Sequence, residues 1–141
     1  MHINQEKLNK EAPGLGIKLI VLFGSQASGT ANQESDYDVA VLTDSDKKID
    51  SGLKRYSEIM NFVLKVLNIP DEKLDLTNLN EANPLLKYHI LHKGTLLYGN
   101  ELLFHEEQAV SFREYHDSKK LFDLEKYLVH QKQKYLNKQL S

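Results

Sequence analysis

Asp36 and Asp38 stand two residues apart, and that spacing carries the first chemical signal in the chain. On a strand, residues i and i+2 project from one face, so the two carboxylates would lie side by side. Such a pair repels and contributes little to stability, so a purely structural purpose is hard to assign to it. A divalent cation resolves the repulsion, and hard oxygen ligands suit Mg²⁺. Tyr37, Val39 and Val41 alternate with the carboxylates and would anchor the strand. Asp75, between Leu74 and Leu76, is the candidate third ligand from a neighbouring strand. A charge within an apolar strand is costly unless it is paired or metal-bound. Three carboxylates on adjacent strands can hold two metals about 3.5–4 Å apart, stabilising both oxygens of an in-line phosphoryl displacement. Asp75 could also accept the proton of an attacking hydroxyl.

Gly24 and Ser25 precede this pair and follow the apolar run IKLIVLF. They occupy the turn from a buried strand into a short helix. There glycine allows close backbone approach, a helix start offers N–H groups to an anion, and the Ser25 hydroxyl adds a donor. The turn suits the outer phosphates of a nucleoside triphosphate. Alone it says little, since Gly-Ser turns after strands are common.

The elements that must position these residues are legible. Ile17–Phe23 reads as a strand buried on both faces. Residues 37–42 form a second, closed by the polar cluster Thr43 to Asp46. Residues 74–79 form a third and residues 95–98 a fourth. Leu53, Tyr56, Met60, Val63, Leu64 and Leu67 recur at helical spacing before Pro70. Asn83-Pro84 reads as a cap and first helical position, leading to Leu85, Leu86, Ile90 and Leu91, with Gly94 at the C-terminal end. Beyond Gly99 no glycine or proline occurs, and one or two helices are expected. The organisation is a core over residues 1–99 and a helical extension over 100–141, in one compact unit.

Gly24-Ser25, ten intervening residues, then Asp36-Tyr37-Asp38 resembles the signature of the DNA polymerase β-type nucleotidyltransferase superfamily. The likeness continues through Leu74-Asp75-Leu76-Thr77, Asn83-Pro84-Leu85-Leu86 and Gly94-Thr95-Leu96-Leu97-Tyr98, covering roughly residues 15–99. Short length and tail resemble the minimal nucleotidyltransferases, particularly antitoxins of HEPN/MNT toxin–antitoxin pairs. The resemblance implies an α+β fold: a small mixed sheet flanked by helices, with a C-terminal helical extension. It also implies transfer of AMP from ATP to a tyrosine of a HEPN ribonuclease toxin, in a type VII-like system and within a hetero-oligomeric complex. Carried onto this sequence, Gly24 and Ser25 would bind the triphosphate. Asp36 and Asp38 would ligate Mg²⁺, two ions being expected, and Asp75 would serve as ligand and general base. One departure is Ser28, where relatives are often basic just before Gly29.

Two other activities compete. One is a non-catalytic antitoxin that neutralises by covering its toxin. The other is an aminoglycoside-type nucleotidyltransferase, for which some forty residues of tail look too few to build an acceptor pocket. Polymerisation on nucleic acid is disfavoured by the formal charge of −2 and the absence of a nucleic-acid module. Arg113-Glu114-Tyr115-His116 leaves two residues between arginine and histidine, unlike the four-residue gap of the HEPN ribonuclease motif, so the chain looks like the antitoxin side. His89 and His92 could share a metal but lack a third ligand, and read as one exposed and one packed residue. Lys54 and Arg55 could approach a phosphate, though a solvated helix start is the simpler reading.

Composition sets the remaining bounds. In 141 residues, 40% are hydrophobic and 27% charged, which fits one globular domain. The longest apolar run, residues 19–23, cannot cross a bilayer. With no cysteine and a polar stretch over residues 1–10, the expected location is the cytoplasm. Residues 101–117 are acidic and the stretch from Lys119 onward is basic, with six lysines against Asp123 and Glu125. That reads as a solvated helix face or a surface for a charged partner. Phe104, Phe112, Tyr115, Phe122, Tyr127 and Tyr135 are divided between core and docking surface on the same grounds.

Overall fold

A computed structural model describes residues 2–29, 35–44 and 52–140. Residues 30–34, between Gly29 and the carboxylates, lie outside the described residues, as do Ser45 and Asp46 of the polar cluster after the second strand. The element order is α1 (Gln5–Glu11), β1 (Ile17–Phe23), α2 (Ser25–Ser28), β2 (Tyr37–Thr43), α3 (Leu53–Leu67), β3 (Leu74–Asn78), α4 (Pro84–Lys93), β4 (Thr95–Gly99) and α5 (Glu101–Leu140). Four strands form one sheet in the order β3-β2-β1-β4. β1 pairs antiparallel with β2 and β4, and β2 pairs parallel with β3 across the α3 crossover. The sheet is therefore mixed, as the resemblance implies.

β1 is buried on both faces because each face of the sheet carries its own core. Ile20 and Leu22 join Val39, Val41 and Leu74 beneath α1 and α3. Leu19 and Val21 join Ala40, Leu42 and Leu79 beneath α4 and the start of α5. A continuous apolar run is what a two-sided strand requires.

The buried face of α3 is Ile59, Phe62, Val63, Leu64, Val66 and Leu67. This rotates the stripe expected from Leu53, Tyr56 and Met60: Leu53 is 82% exposed, while Tyr56 and Met60 only border the core. Leu53 follows the helix start at Gly52, one turn before the helix reaches the sheet's core. The helix ends ahead of Pro70, at Asn68, which adopts the left-handed conformation of a helix terminus.

α4 begins as expected, with the Asn83 side chain accepting from the Leu86 N–H at 2.9 Å and Pro84 in the first turn. Ile90 and Leu91 are buried, whereas Leu85 and Leu86 stay on the exposed side. Gly94 ends the helix with an extended backbone, φ −78°, so positive φ is not its reason for being glycine. A Cβ there would collide with the Ile90 carbonyl and the Val21 side chain. Its purpose is close packing of α4 onto β1.

The tail is one helix of 40 residues, about 60 Å long. Its beginning is fastened to α4. Phe104 enters the core, Tyr115 stacks on Tyr88 with ring centroids 4.6 Å apart, and the Gln108 side chain donates to the Leu91 carbonyl at 2.8 Å. Residues 117–140 are all exposed. Phe122, Tyr127 and Tyr135 thus belong to the surface and Phe104 to the core, with Phe112 at the boundary, 46% exposed. Among the described residues, no helix is long and apolar enough to cross a membrane.

Candidate active site

The backbone register creates the site. β1 ends at Phe23, which faces Asp38 across the antiparallel β1–β2 pair, and Asp38 faces Asp75 across the parallel β2–β3 pair. Asp38 and Asp75 therefore project from the same face, the one shared with Ala40 and Leu42. Tyr37 and Val39 anchor β2 on the other face, as the alternation requires.

Strand pairing sets the Asp38 and Asp75 carboxyls opposite one another, near enough for each to act on the other's charge. Partial burial is the main cause holding the Asp38 carboxyl above its usual range. The charge of Asp75, the hydrogen bond to Asp75 and the charge of Asp36 act in the same direction. Asp36 lies one residue ahead of β2 and is exposed. It reaches Asp38 as a charge, but no group of three metal-ligating side chains is gathered among the described residues. The register thus sets two of the three expected carboxylates opposite one another, and Asp36 adds its charge from just outside the strand.

Asp75 also has surroundings unlike those its apolar sequence neighbours suggest. Leu74 is buried and Leu76 packs against the core, but β3 is an edge strand and Asp75 is exposed. The cost of a buried charge does not apply to it. Its pairing with Asp38 is what singles it out.

Gly24 lies where β1 turns into α2, with φ +72°. A Cβ at this position would fall on the Asp38 carboxylate. Glycine is required both for the left-handed backbone and for the room it leaves. Ser25 opens α2, and the first N–H groups of any helix have no partner within it, so this turn presents donors beside the carboxylates. Gln26 donates from its side chain to the Ser35 carbonyl at 3.4 Å, tying α2 to the segment that leads into β2. At the far end of β2, the Asn80 side chain accepts from the Thr43 N–H at 3.0 Å and donates to the Thr43 carbonyl at 2.8 Å. Neither Gln26 nor Asn80 has a spacing that would have drawn notice in the sequence.

Of the other candidates, Arg55 donates to the Leu15 carbonyl and Lys54 is exposed at the start of α3. His92 packs its ring on Tyr88 at 4.4 Å, and both His89 and His92 are exposed.

The donor set fits a divalent cation. Two carboxylates set side by side by strand pairing repel one another, and a hard cation relieves that repulsion.

A mixed sheet that sets a carboxylate pair beside a Gly-Ser turn defines a class. Residues 6–102 match the family described as polymerase beta, nucleotidyltransferase, and the chain belongs to that family. A curated relative is protein adenylyltransferase MntA of Aphanizomenon flos-aquae (strain 2012/KM1/D3). It is 33% identical over 85 residues, which are 58% of this chain and 57% of MntA. The chain thus spans a little over half the length of that relative. Among solved structures, a chain of a crystal structure of a toxin-antitoxin with AMP-PNP superimposes with a TM-score of 0.60 at 22% identity, covering 89% of this chain and 99% of that one. A chain of a tri-AMPylated Shewanella oneidensis HEPN toxin in complex with its MNT antitoxin gives 0.55 at 20% identity, covering 88% and 98%. At these identities the likeness is one of fold.

Proposed function

We propose that this chain is the antitoxin of a type VII-like HEPN/MNT pair. It would act as a Mg²⁺-dependent protein adenylyltransferase, moving AMP from ATP to a tyrosine hydroxyl of a HEPN-family ribonuclease toxin and so inactivating it. The single observation that carries this reading is the Asp38–Asp75 pair beside Gly24 and Ser25, in a chain of the nucleotidyltransferase family. The similarity to an adenylyltransferase and to the fold of antitoxin complexes supports the choice of acceptor.

Ser25 and the opening N–H groups of α2 would hold the triphosphate. Asp38 and Asp75, joined by Asp36 turning inward, would hold Mg²⁺. The bound cation, two ions being expected, would supply charge neutralisation on the phosphates. Asp75, exposed at the sheet edge, would accept the proton of the tyrosine hydroxyl as its oxygen bonds to the α-phosphorus. The bond from that phosphorus to the pyrophosphate oxygen breaks, and pyrophosphate leaves. Gly24 keeps Asp38 in line by leaving its carboxylate undisturbed. ATP as donor and the absence of cysteine support a cytoplasmic site of action.

The test is intact mass spectrometry of a HEPN partner incubated with this protein, ATP and Mg²⁺. One or more added AMP units are expected, and none with the Asp36→Asn/Asp38→Asn variant. A toxin silenced equally by that variant, with no gain in mass, would reject catalysis in favour of neutralisation by binding.

A further inference from the structure

The distal half of α5 displays a pattern that the transfer reaction does not use. Leu121, Leu124, Leu128 and Tyr135 form one row along the helix, and Phe122, Val129, Leu136 and Leu140 form a second beside it. All eight are between 48% and 86% exposed. Between the rows lie Glu125 and Lys132. The neighbours of Glu125 three and four positions away are Leu121, Phe122, Leu128 and Val129. Those of Lys132 are Leu128, Val129, Tyr135 and Leu136. Each charge stands inside an apolar patch, with no opposite charge at the spacings where side chains on one helix meet.

The arrangement is self-complementary. Glu125 and Lys132 lie equally far on either side of the midpoint between Leu128 and Val129. We infer that this face pairs with a second copy of the chain, antiparallel, about a two-fold axis through that midpoint. Glu125 then meets the partner's Lys132, and Lys132 meets the partner's Glu125. Each row packs on its own counterpart, so Leu121 meets the partner's Tyr135, and Phe122 meets the partner's Leu136. A parallel pair would instead set Glu125 against the partner's Glu125 and Lys132 against the partner's Lys132. The remaining charges of the segment, Lys119, Lys120, Asp123, Lys126, Lys134 and Lys138, fall on the flanks and back of the helix, where water solvates them. A patch spanning about four turns, with one charge of each sign in it, is an isologous surface of the kind a two-fold dimer needs.

Sedimentation velocity on the whole protein over a range of concentrations tests this. The expected result is a concentration-dependent species of twice the 16.2 kDa chain mass. Glu125→Lys and Lys132→Glu should each weaken it at least tenfold, and the double swap should restore it to within a few-fold, with helix content unchanged by circular dichroism. The chain has no cysteine, so single ones report the geometry. Leu128→Cys, next to the axis, should oxidise to a disulfide-linked dimer, and Leu121→Cys should not. A monomer at every concentration overturns the inference, and if a HEPN toxin or a lipid surface then binds the face, that partner takes its place. A dimer that the double swap fails to restore, or one that Leu121→Cys cross-links, overturns the antiparallel pairing. None of these readouts depends on nucleotide transfer.

Discussion

Asp38 and Asp75 are neighbours because the β2–β3 register makes them so, and at neutral pH their charges work against that placement. The folded state binds a proton on Asp38 more readily than the unfolded chain does, since the carboxyl is raised by burial and by the two neighbouring aspartates. This contribution to stability is complete below the ordinary carboxylate range and is lost as pH rises through the elevated value. Asp38→Asn should therefore melt above the wild type at neutral pH without divalent cation, and the gap should close in acid. Thermal melts between pH 3 and pH 8 would show it. Transfer should fall by at least about a hundredfold in the same variant. Mg²⁺ at a hundred times its dissociation constant should stabilise the wild type by about 2.7 kcal/mol and the variant far less. Gly24→Ala joins two faults, a Cβ in the left-handed region and a Cβ on the Asp38 carboxylate. It should cost about 1–3 kcal/mol in a denaturant titration and remove most of the Mg²⁺ response.

At the scale of elements, the site depends on β2 being held at both ends. Gln26 ties α2 to the start of β2, and Asn80 clamps its end with bonds to both backbone groups of Thr43. Thr43 is 2% exposed, so its N–H and carbonyl have little water to turn to once the clamp is cut. Asn80→Ala should destabilise the fold by about 1–3 kcal/mol in urea. Transfer activity measured well below the new melting temperature should fall less than in the Asp38 variant, because Asn80 acts at the opposite end of the strand.

Over the described residues, two cores on a four-stranded sheet account for the buried apolar side chains, and α5 extends past them. Among the described residues, deleting those after Asp117 removes only exposed positions. The shortened chain should keep its melting temperature within about 4 °C, as expected for changes outside a packed core. It should keep its Mg²⁺ response and lose self-association. A scanning calorimetry trace beside a sedimentation run would separate these outcomes.

From β1 to β4 the strands, and α4, were legible in the sequence to within a residue or two because each carries its own pattern, whereas α1, with Leu8 as its one buried residue, has no stripe to read. IKLIVLF has no polar position at which a strand could face water except Lys18, and Asn83-Pro84 supplies a cap and a first-turn residue to the apolar pattern that follows. Asp36, Asp38, Gly24 and Ser25 were visible as residue types at a spacing that phosphoryl chemistry uses. What the sequence could not supply was the register across the chain. It offered Asp75 as a third carboxylate from a neighbouring strand, and the register sets Asp75 directly opposite Asp38 while leaving Asp36 outside the strand. It placed Leu53 in the core, but where α3 meets the sheet decided otherwise. It read Gly94 as the cap of α4, as it is, while the reason a side chain is excluded there lies in how closely α4 approaches β1. Periodicity is a property of one segment. Register, and the direction from which a neighbour covers a face, belong to two segments at once, and only the tertiary structure sets them.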